Sequence, residues 1–237
     1  TGSEDPNYDI VITGNRVRFA GQVTSGVSSI LVSGSKQVVI ADNVLRDGGI
    51  SGTKVCNGIV VNSGNNATNT AQWITITGNV VTRHAGNGTK STGGIIVSGA
   101  NLVSITGNTV TDNNLWNAAV TNACEVLVFY DGVNSTFGIS LDANTIGKLD
   151  ANSRSTQGIW VGASVSDKGV SIGDNLIFNL TPYLIDAAIG VVMWRSVEHG
   201  TLPTHQPGFF GRIFTSASDA ITYKAGVSAW IKIGTET

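Results

Sequence analysis

The stretch Ile74-Thr-Ile-Thr-Gly-Asn79 recurs along the chain with small changes. It returns as Ile10-Val-Ile-Thr-Gly-Asn15, Val38-Val-Ile-Ala-Asp-Asn43, Val103-Ser-Ile-Thr-Gly-Asn108, Ile139-Ser-Leu-Asp-Ala-Asn144 and Val170-Ser-Ile-Gly-Asp-Asn175. Successive copies of the Asn lie 28 to 36 residues apart. Inside each copy apolar residues alternate with other types, the period of a strand with one buried face. A second phrase precedes most copies: Ile30-Leu-Val32, Ile59-Val-Val61, Ile95-Ile-Val97, Leu127-Val-Phe129, Ile159-Trp-Val161 and Ile189-Gly-Val191. A third strand follows each Asn, with an apolar residue two positions on, at Val17, Leu45, Val81, Val110, Ile146 and Ile177. Three short strands per coil, with coils of unequal length, describe a solenoid whose loops vary over a constant core. The fold class is therefore all-β: a right-handed parallel β-helix of about six to seven coils, three strands per coil. One Asn in a bend is an ordinary turn residue. Six in phase predict an inward ladder whose amides hydrogen-bond along the stack.

Composition agrees. Apolar residues make up 41% of the 237 residues, enough for a buried core, while charged residues reach only 13% and Gly numbers 30. Such a mixture suits tight turns between β-branched strands better than helices. The net charge of −2 offers no basic stripe for nucleic acid. No apolar run approaches a membrane span, so no membrane insertion is expected. No signal peptide opens the chain, which is in a strand by Ile10 and reads as a piece of something longer. The repeat over roughly residues 10–195 resembles the pectin (pectate) lyase-like β-helix superfamily. That resemblance implies the architecture and leaves function open, because the same coil serves lyases, hydrolases, epimerases, adhesins and viral tailspikes.

The outward positions of the first phrase read Leu31, Val60, Ile96, Val128 and Trp160. An apolar column of this length on the outside of a solenoid calls for a cover. Long loops of the same chain or a sugar chain are two candidates. The preferred reading is the same column of neighbouring subunits, in a homotrimer of parallel solenoids. The matching positions of the second phrase, Thr75, Thr77, Ser104, Thr106, Ser140 and Asp142, read as a solvated face. Cys56 and Cys124 occupy similar places two coils apart, ~9–10 Å at the stacking repeat, beyond disulfide reach. They read as free, mostly buried thiols, which fits maturation in a reducing compartment.

The rhythm stops after Trp194. Residues 1–195 are read as the solenoid and residues 196–237 as a small C-terminal β-module with strands around Phe210–Thr215, Ala220–Lys224 and Ala229–Ile233. A segment of that size needs the solenoid's end or copies of itself for a core. Gly200, Pro203, Pro207, Gly208, Tyr223, Lys224, Trp230, Ile231 and Ile233 resemble a module found at the C-termini of bacteriophage tail fibres and tailspikes. The Gly-Ser-Leu-Tyr and Arg-Thr-Asp stretches usual there are replaced by Phe-Phe-Gly-Arg-Ile-Phe-Thr-Ser. The resemblance implies a bacteriophage tailspike or tail appendage: a homotrimer on the virion surface that engages bacterial surface polysaccharide (capsule or O-antigen), with Tyr223 and Trp230 joining the subunit interface.

Chemistry on a polysaccharide requires paired carboxylates, or a base with a helper group. The 16 acidic residues are scattered. The best group is Asp112, Glu125 and Asp131 as catalytic candidates, with Trp116, Tyr130 and Arg83 as substrate-binding candidates around the longest outer loop. Loop capping is the plainer account of the same acids. Asp142 and Asp174 read as bend residues, and Asp150, Asp167 and Asp219 as loop acids. Arg18, Arg46 and Arg83 lie near equivalent positions after the third strand and face either an acidic polysaccharide or plain solvent. His84, His199 and His205 show no paired spacing for a metal, so neither metal nor cofactor is expected. Three readings follow: a tailspike domain that binds glycan, with or without depolymerising it as a hydrolase or lyase; a purely structural trimeric stem of a longer spike; or a secreted polysaccharide lyase or hydrolase of the same fold.

Overall fold

The computed structural model describes residues 8–20, 27–49, 56–64, 70–85, 94–115, 123–129, 136–162, 169–185, 191–193, 198–199, 213–216, 221–225 and 230–235, the last of these from 182 onward as backbone only. Three parallel sheets run along the solenoid. The first holds Val27–Ser33, Cys56–Asn62, Ile95–Ser98, Cys124–Phe129, Gln157–Val161 and Thr181–Ile185. The second holds Tyr8–Thr13, Lys36–Ala41, Ala71–Thr77, Ala100–Thr106, Phe137–Asp142, Val170–Ile172 and Val191–Met193. The third holds Arg16–Arg18, Val44–Arg46, Val80–Thr82, Thr109–Thr111, Thr145–Gly147 and Leu176–Phe178. Within each sheet every strand pairs with its equivalent in the neighbouring coil, on both sides except at the sheet ends, which is the right-handed parallel β-helix. Inside, like residues stack: Val38, Ile74, Val103, Ile139 and Val170 form one buried column, and Ile40, Ile76, Ile105, Leu141 and Ile172 another.

The asparagine ladder forms as the repeat predicts. Asn15, Asn43, Asn79, Asn108 and Asn144 each donate their backbone N–H to the Oδ1 of the next Asn, ending on Asn175, at 2.9–3.1 Å. Each Nδ2 donates to the same Oδ1, and those of Asn43, Asn79, Asn108 and Asn144 also reach back to a carbonyl of the preceding coil. The ladder residues from Asn43 to Asn144 are buried. The residue before most of them turns the chain through the left-handed region: Gly14, Asp42, Gly78, Gly107 and Ala143 have φ of 53° to 69°. At Gly78 space as well as φ demands glycine, since a Cβ would lie 2.4 Å from Asp42 Oδ1.

Two register expectations need correction. Val126, Leu127 and Val128 pair with Ile95, Ile96 and Val97, so Leu127 faces outward and Val128 lies in the core. Reading Leu127-Val-Phe129 as the repeat slipped by one residue, which in a period-two strand exchanges the faces. Five consecutive apolar or aromatic residues from Val126 to Tyr130 gave no polar residue to mark the solvent side. The same slip touches the cysteines: the ladder of pairs aligns Cys124 with Asn57, not with Cys56. Both thiols are nonetheless free and buried. At the far end the next first-sheet strand is Tyr183-Leu-Ile185, aligned with Ile159-Trp-Val161, and Val191–Met193 belongs to the second sheet. The expected Ile189-Gly-Val191 phrase is therefore displaced by six residues, because this coil closes sooner than the others.

The outward column of the first sheet is Leu31, Val60, Ile96, Leu127 and Trp160. Its middle is covered by the chain itself: Val60, Ile96 and Leu127 are 8%, 5% and 7% exposed and form a second apolar cluster with Cys124, against which Phe129 and Trp160 pack. Leu31 is 58% exposed. On the second sheet Thr75, Ser104 and Ser140 are partly exposed as expected, but Val11 and Val39 in the first two coils are exposed as well, with Trp73 and Leu102 beside them. Beyond the solenoid, Glu198–His199, Ile213–Ser216, Ile221–Ala225 and Trp230–Thr235 form a separate four-stranded sheet, antiparallel in its last two pairings. Tyr223 and Trp230 lie on adjacent strands of it.

Replacing Asn79 by Ala removes the acceptor of the Asn43 backbone N–H and the side-chain donor to the Ile40 carbonyl, and should cost at least about 3 kcal/mol in urea unfolding. Asn15→Ala, at the exposed end, should cost about 1 kcal/mol or less. For the corrected register, Val128→Asp should abolish folding by circular dichroism.

Candidate functional site

The bend after the third strand gathers the charged and buried polar residues Asp47, Arg83, His84, Asp112 and Asn113. Its first residue adopts the left-handed conformation in five coils, at Phe19, Asp47, Arg83, Asp112 and Asn179. That conformation turns Asp47 over the third-sheet edge, where its side chain is 7% exposed and accepts from three arginines. Arg18 Nε and Arg83 Nε donate at 2.9 Å, and Arg46 Nε lies at 3.4 Å. Burial alone would raise the Asp47 carboxyl, but the Arg18, Arg83 and Arg46 hydrogen bonds outweigh it and hold it below the usual carboxylate range. Arg83 also donates through Nη1 to Asp150. Asp150 is held low first by the Asn152 backbone N–H and then by Arg83.

Two coils beyond Asp47, Asp112 occupies the equivalent position and accepts the backbone N–H groups of Leu149 and Asp150. Its carboxylate caps a loop.

The next residue of each bend points into the solenoid. Gly48, His84 and Asn113 occupy this place, and a Cβ on Gly48 would fall 2.4 Å from His84 Cδ2 and 2.8 Å from Cys56 Sγ. His84 is fully buried between Ser29 Oγ at 3.0 Å from Nε2 and Asn113 Oδ1 at 3.2 Å from Nδ1. A side-chain amide oxygen only accepts, so Nδ1 carries the proton and Nε2 accepts from Ser29. Burial lowers this imidazole to about 4. Asn113 in turn donates its backbone N–H and Nδ2 to Glu125, and Ser155 completes the carboxyl's surroundings. Glu125 has no exposed surface, and burial pushes it up to about 8. Burial also raises the Cys56 thiol, beside Ser29. A continuous polar line, Cys56–Ser29–His84–Asn113–Glu125, therefore threads one corner of an otherwise apolar interior.

These placements separate the expected catalytic set. Glu125 is sealed inside the coil and Asp112 is engaged by two backbone amides at the edge, so the two do not face a common substrate position. Asp131, Trp116 and Tyr130 lie outside the described residues. Arg83 is at the surface, held by two carboxylates. Ser29 and His84 have the spacing of a nucleophile and its base, but His84 lies wholly within the core, where the pair serves as packing. Among the described residues no group of three His, Cys, Asp or Glu side chains is placed to hold a metal, and no helix is long and apolar enough to cross a membrane. Sequence reasoning missed Asp47, His84 and Asn113. Each stands two or three residues after an inward apolar residue of the third strand (Leu45, Val81, Val110), and aligning the coils there would have stacked Asp47 with Arg83 and Asp112, and His84 with Asn113. No protein-family profile matches the chain, and neither a curated protein nor a solved structure matches it.

The two buried titrating groups give stability a definite pH dependence. Unfolded Glu125 ionises at 4.5 and folded Glu125 at about 8, so its contribution is lost as pH rises across that window. Unfolded His84 binds a proton below 6.5 and folded His84 only near 4, so its contribution is lost as pH falls. The slopes, about 1.4 kcal/mol per pH unit each, cancel between 4.5 and 6.5. Urea midpoints should therefore be flat there and fall from pH 6.5 to 8, and Glu125→Gln should remove the alkaline fall. A variant that retains it would place the responsible group elsewhere.

Proposed function

We propose that this chain is the polysaccharide-engaging β-helix of a bacteriophage tail appendage, carried on the virion surface as a homotrimer, and that it binds bacterial capsule or O-antigen on the outside of its coils. The observation that carries this reading is the division of labour among side chains. The acids best placed by sequence for chemistry, Glu125 and Asp112, are committed to the core and to a loop. Aromatic and cationic groups are instead turned to solvent on the outer faces, among them Tyr8, Phe19, Trp73 and the arginines around Asp47. Aromatic faces and guanidinium donors are what a sugar chain is held by. The reading is therefore binding, with any depolymerising chemistry left to groups other than this pair. Trimer formation is supported by apolar side chains left exposed in the first two coils, Val11, Leu31 and Val39. The C-terminal likeness to phage tail modules supports the setting.

A purely structural stem is the second reading, favoured by the same commitment of Asp112 and Glu125. Light scattering on a sizing column should give a mass near three chains. The trimer should be retained by polysaccharide extracted from a host bacterium, without release of new reducing ends or of a 4,5-unsaturated product. A trimer that no bacterial polysaccharide retains would leave the stem reading in its place, and released product would establish a depolymerase.

A further inference from the structure

We propose that Arg18, Arg46 and Arg83, gathered around Asp47 on the outer edge of the third sheet, form a binding site for the oxyanion groups of an acidic glycan. The inference rests on the polysaccharide reading above and narrows its ligand to polymers bearing carboxylate or phosphate.

Arg18 and Arg46 are register partners on adjacent strands, ~4.8 Å apart along the stack. Like charges directly opposed across a parallel pair repel, so the arrangement needs a counter-charge, which Asp47 supplies. A structural ion pair would need one arginine. Here one carboxylate collects three, each through its Nε edge, and among the described residues Asp150 also pairs with Arg83. Among the described residues the ion pairs set three guanidiniums against Asp47 and Asp150, and Arg16, two residues before Arg18 on the same face, is exposed beside them. The guanidinium side chains remain 57%, 49% and 38% exposed, whereas Asp47 is 7% exposed. The acid is thus the buried anchor, and the donors face outward.

Holding each arginine by one edge fixes its plane and leaves further N–H donors, in the fork that matches carboxylate or phosphate oxygens. The Phe19 ring lies 4.4 Å beneath the Arg18 guanidinium and is itself exposed. It stiffens that cation and offers an apolar surface to a sugar ring. Along the stack the Arg18–Arg46 row continues as Thr82 and Thr111, whose hydroxyls are 3.3 Å apart. A row that changes from cations to hydroxyls suits a chain carrying both acid groups and sugar hydroxyls. With a net charge of −2 overall, the protein is poorly matched to nucleic acid, where charge neutralisation dominates affinity.

The test is calorimetric titration of the intact chain with polygalacturonate, fully methyl-esterified polygalacturonate, poly(glycerol phosphate) and dextran, alongside host capsule. Either acidic polymer should bind with an affinity that falls as salt rises, and its uncharged counterpart should bind at least tenfold more weakly. The two acidic arms decide between carboxylate and phosphate. The double variant R18Q/R46Q should lose at least tenfold, and R154Q, an exposed arginine elsewhere, less than twofold. R18K/R46K keeps the charge for Asp47 and loses the fork, so it should remain folded and still lose about threefold or more. Acidic polymers binding no better than neutral ones, or both double variants binding like the parent, would overturn the site. In that case binding of a neutral polymer or of host capsule would leave the polysaccharide reading standing. If neither capsule nor any other polymer binds, both fall.

Discussion

The bend before the third strand carries a backbone N–H that no ordinary turn can satisfy once coils are stacked above and below it. The asparagine side chain resolves that constraint. Its Oδ1 accepts the orphaned N–H and the amide of the Asn before it, while Nδ2 reaches a carbonyl of the preceding coil. Much else depends on this arrangement. It permits left-handed residues at the bend, otherwise costly by roughly 1–2 kcal/mol for a residue with a Cβ, because the geometry they impose is the one that aligns the ladder. It sets the register of the second and third sheets, and so the columns of Ile, Val and Leu within.

A second consequence of fixed bends is that differences in coil length are displaced to the other corners. The third bend, where loops are long, is also where the interior turns polar. Gly48 makes room for the His84 ring, and Gly94 for the Glu125 backbone, where a Cβ would stand 2.1 Å from the Glu125 carbonyl oxygen. Glycine on one coil and a large polar residue on the next fill the same space. His84, Asn113 and Glu125 therefore form a packed group, whose oxygens and nitrogens are answered by one another.

The fold was legible because its determinant is local and repeated six times. Ile74-Thr-Ile-Thr-Gly-Asn79 contains both the alternation and the bend residue, so one phrase aligns the coils. The first sheet was legible only where a polar residue broke its apolar run. Around Val128 none does, and the face was inverted; around Tyr183 the coil shortens, and the strand was placed too late. The candidate site was the least legible part. Asp112 and Glu125 looked paired because both are acidic and near a long loop, but the chain bends between them, sending one to the edge and the other inside. The Asp47 cluster joins residues 18, 46, 47, 83 and 150, a grouping that spacing suggests only after every coil is aligned at its third bend.

The ladder is also directional. Each Asn from Asn43 to Asn144 accepts from the coil before it, and its own backbone N–H donates to the coil after it. A chain emerging from the ribosome, N-terminus first, therefore presents at each moment one unfinished rung, a buried donor whose acceptor has yet to be synthesised. Each new coil supplies that acceptor and exposes the next donor.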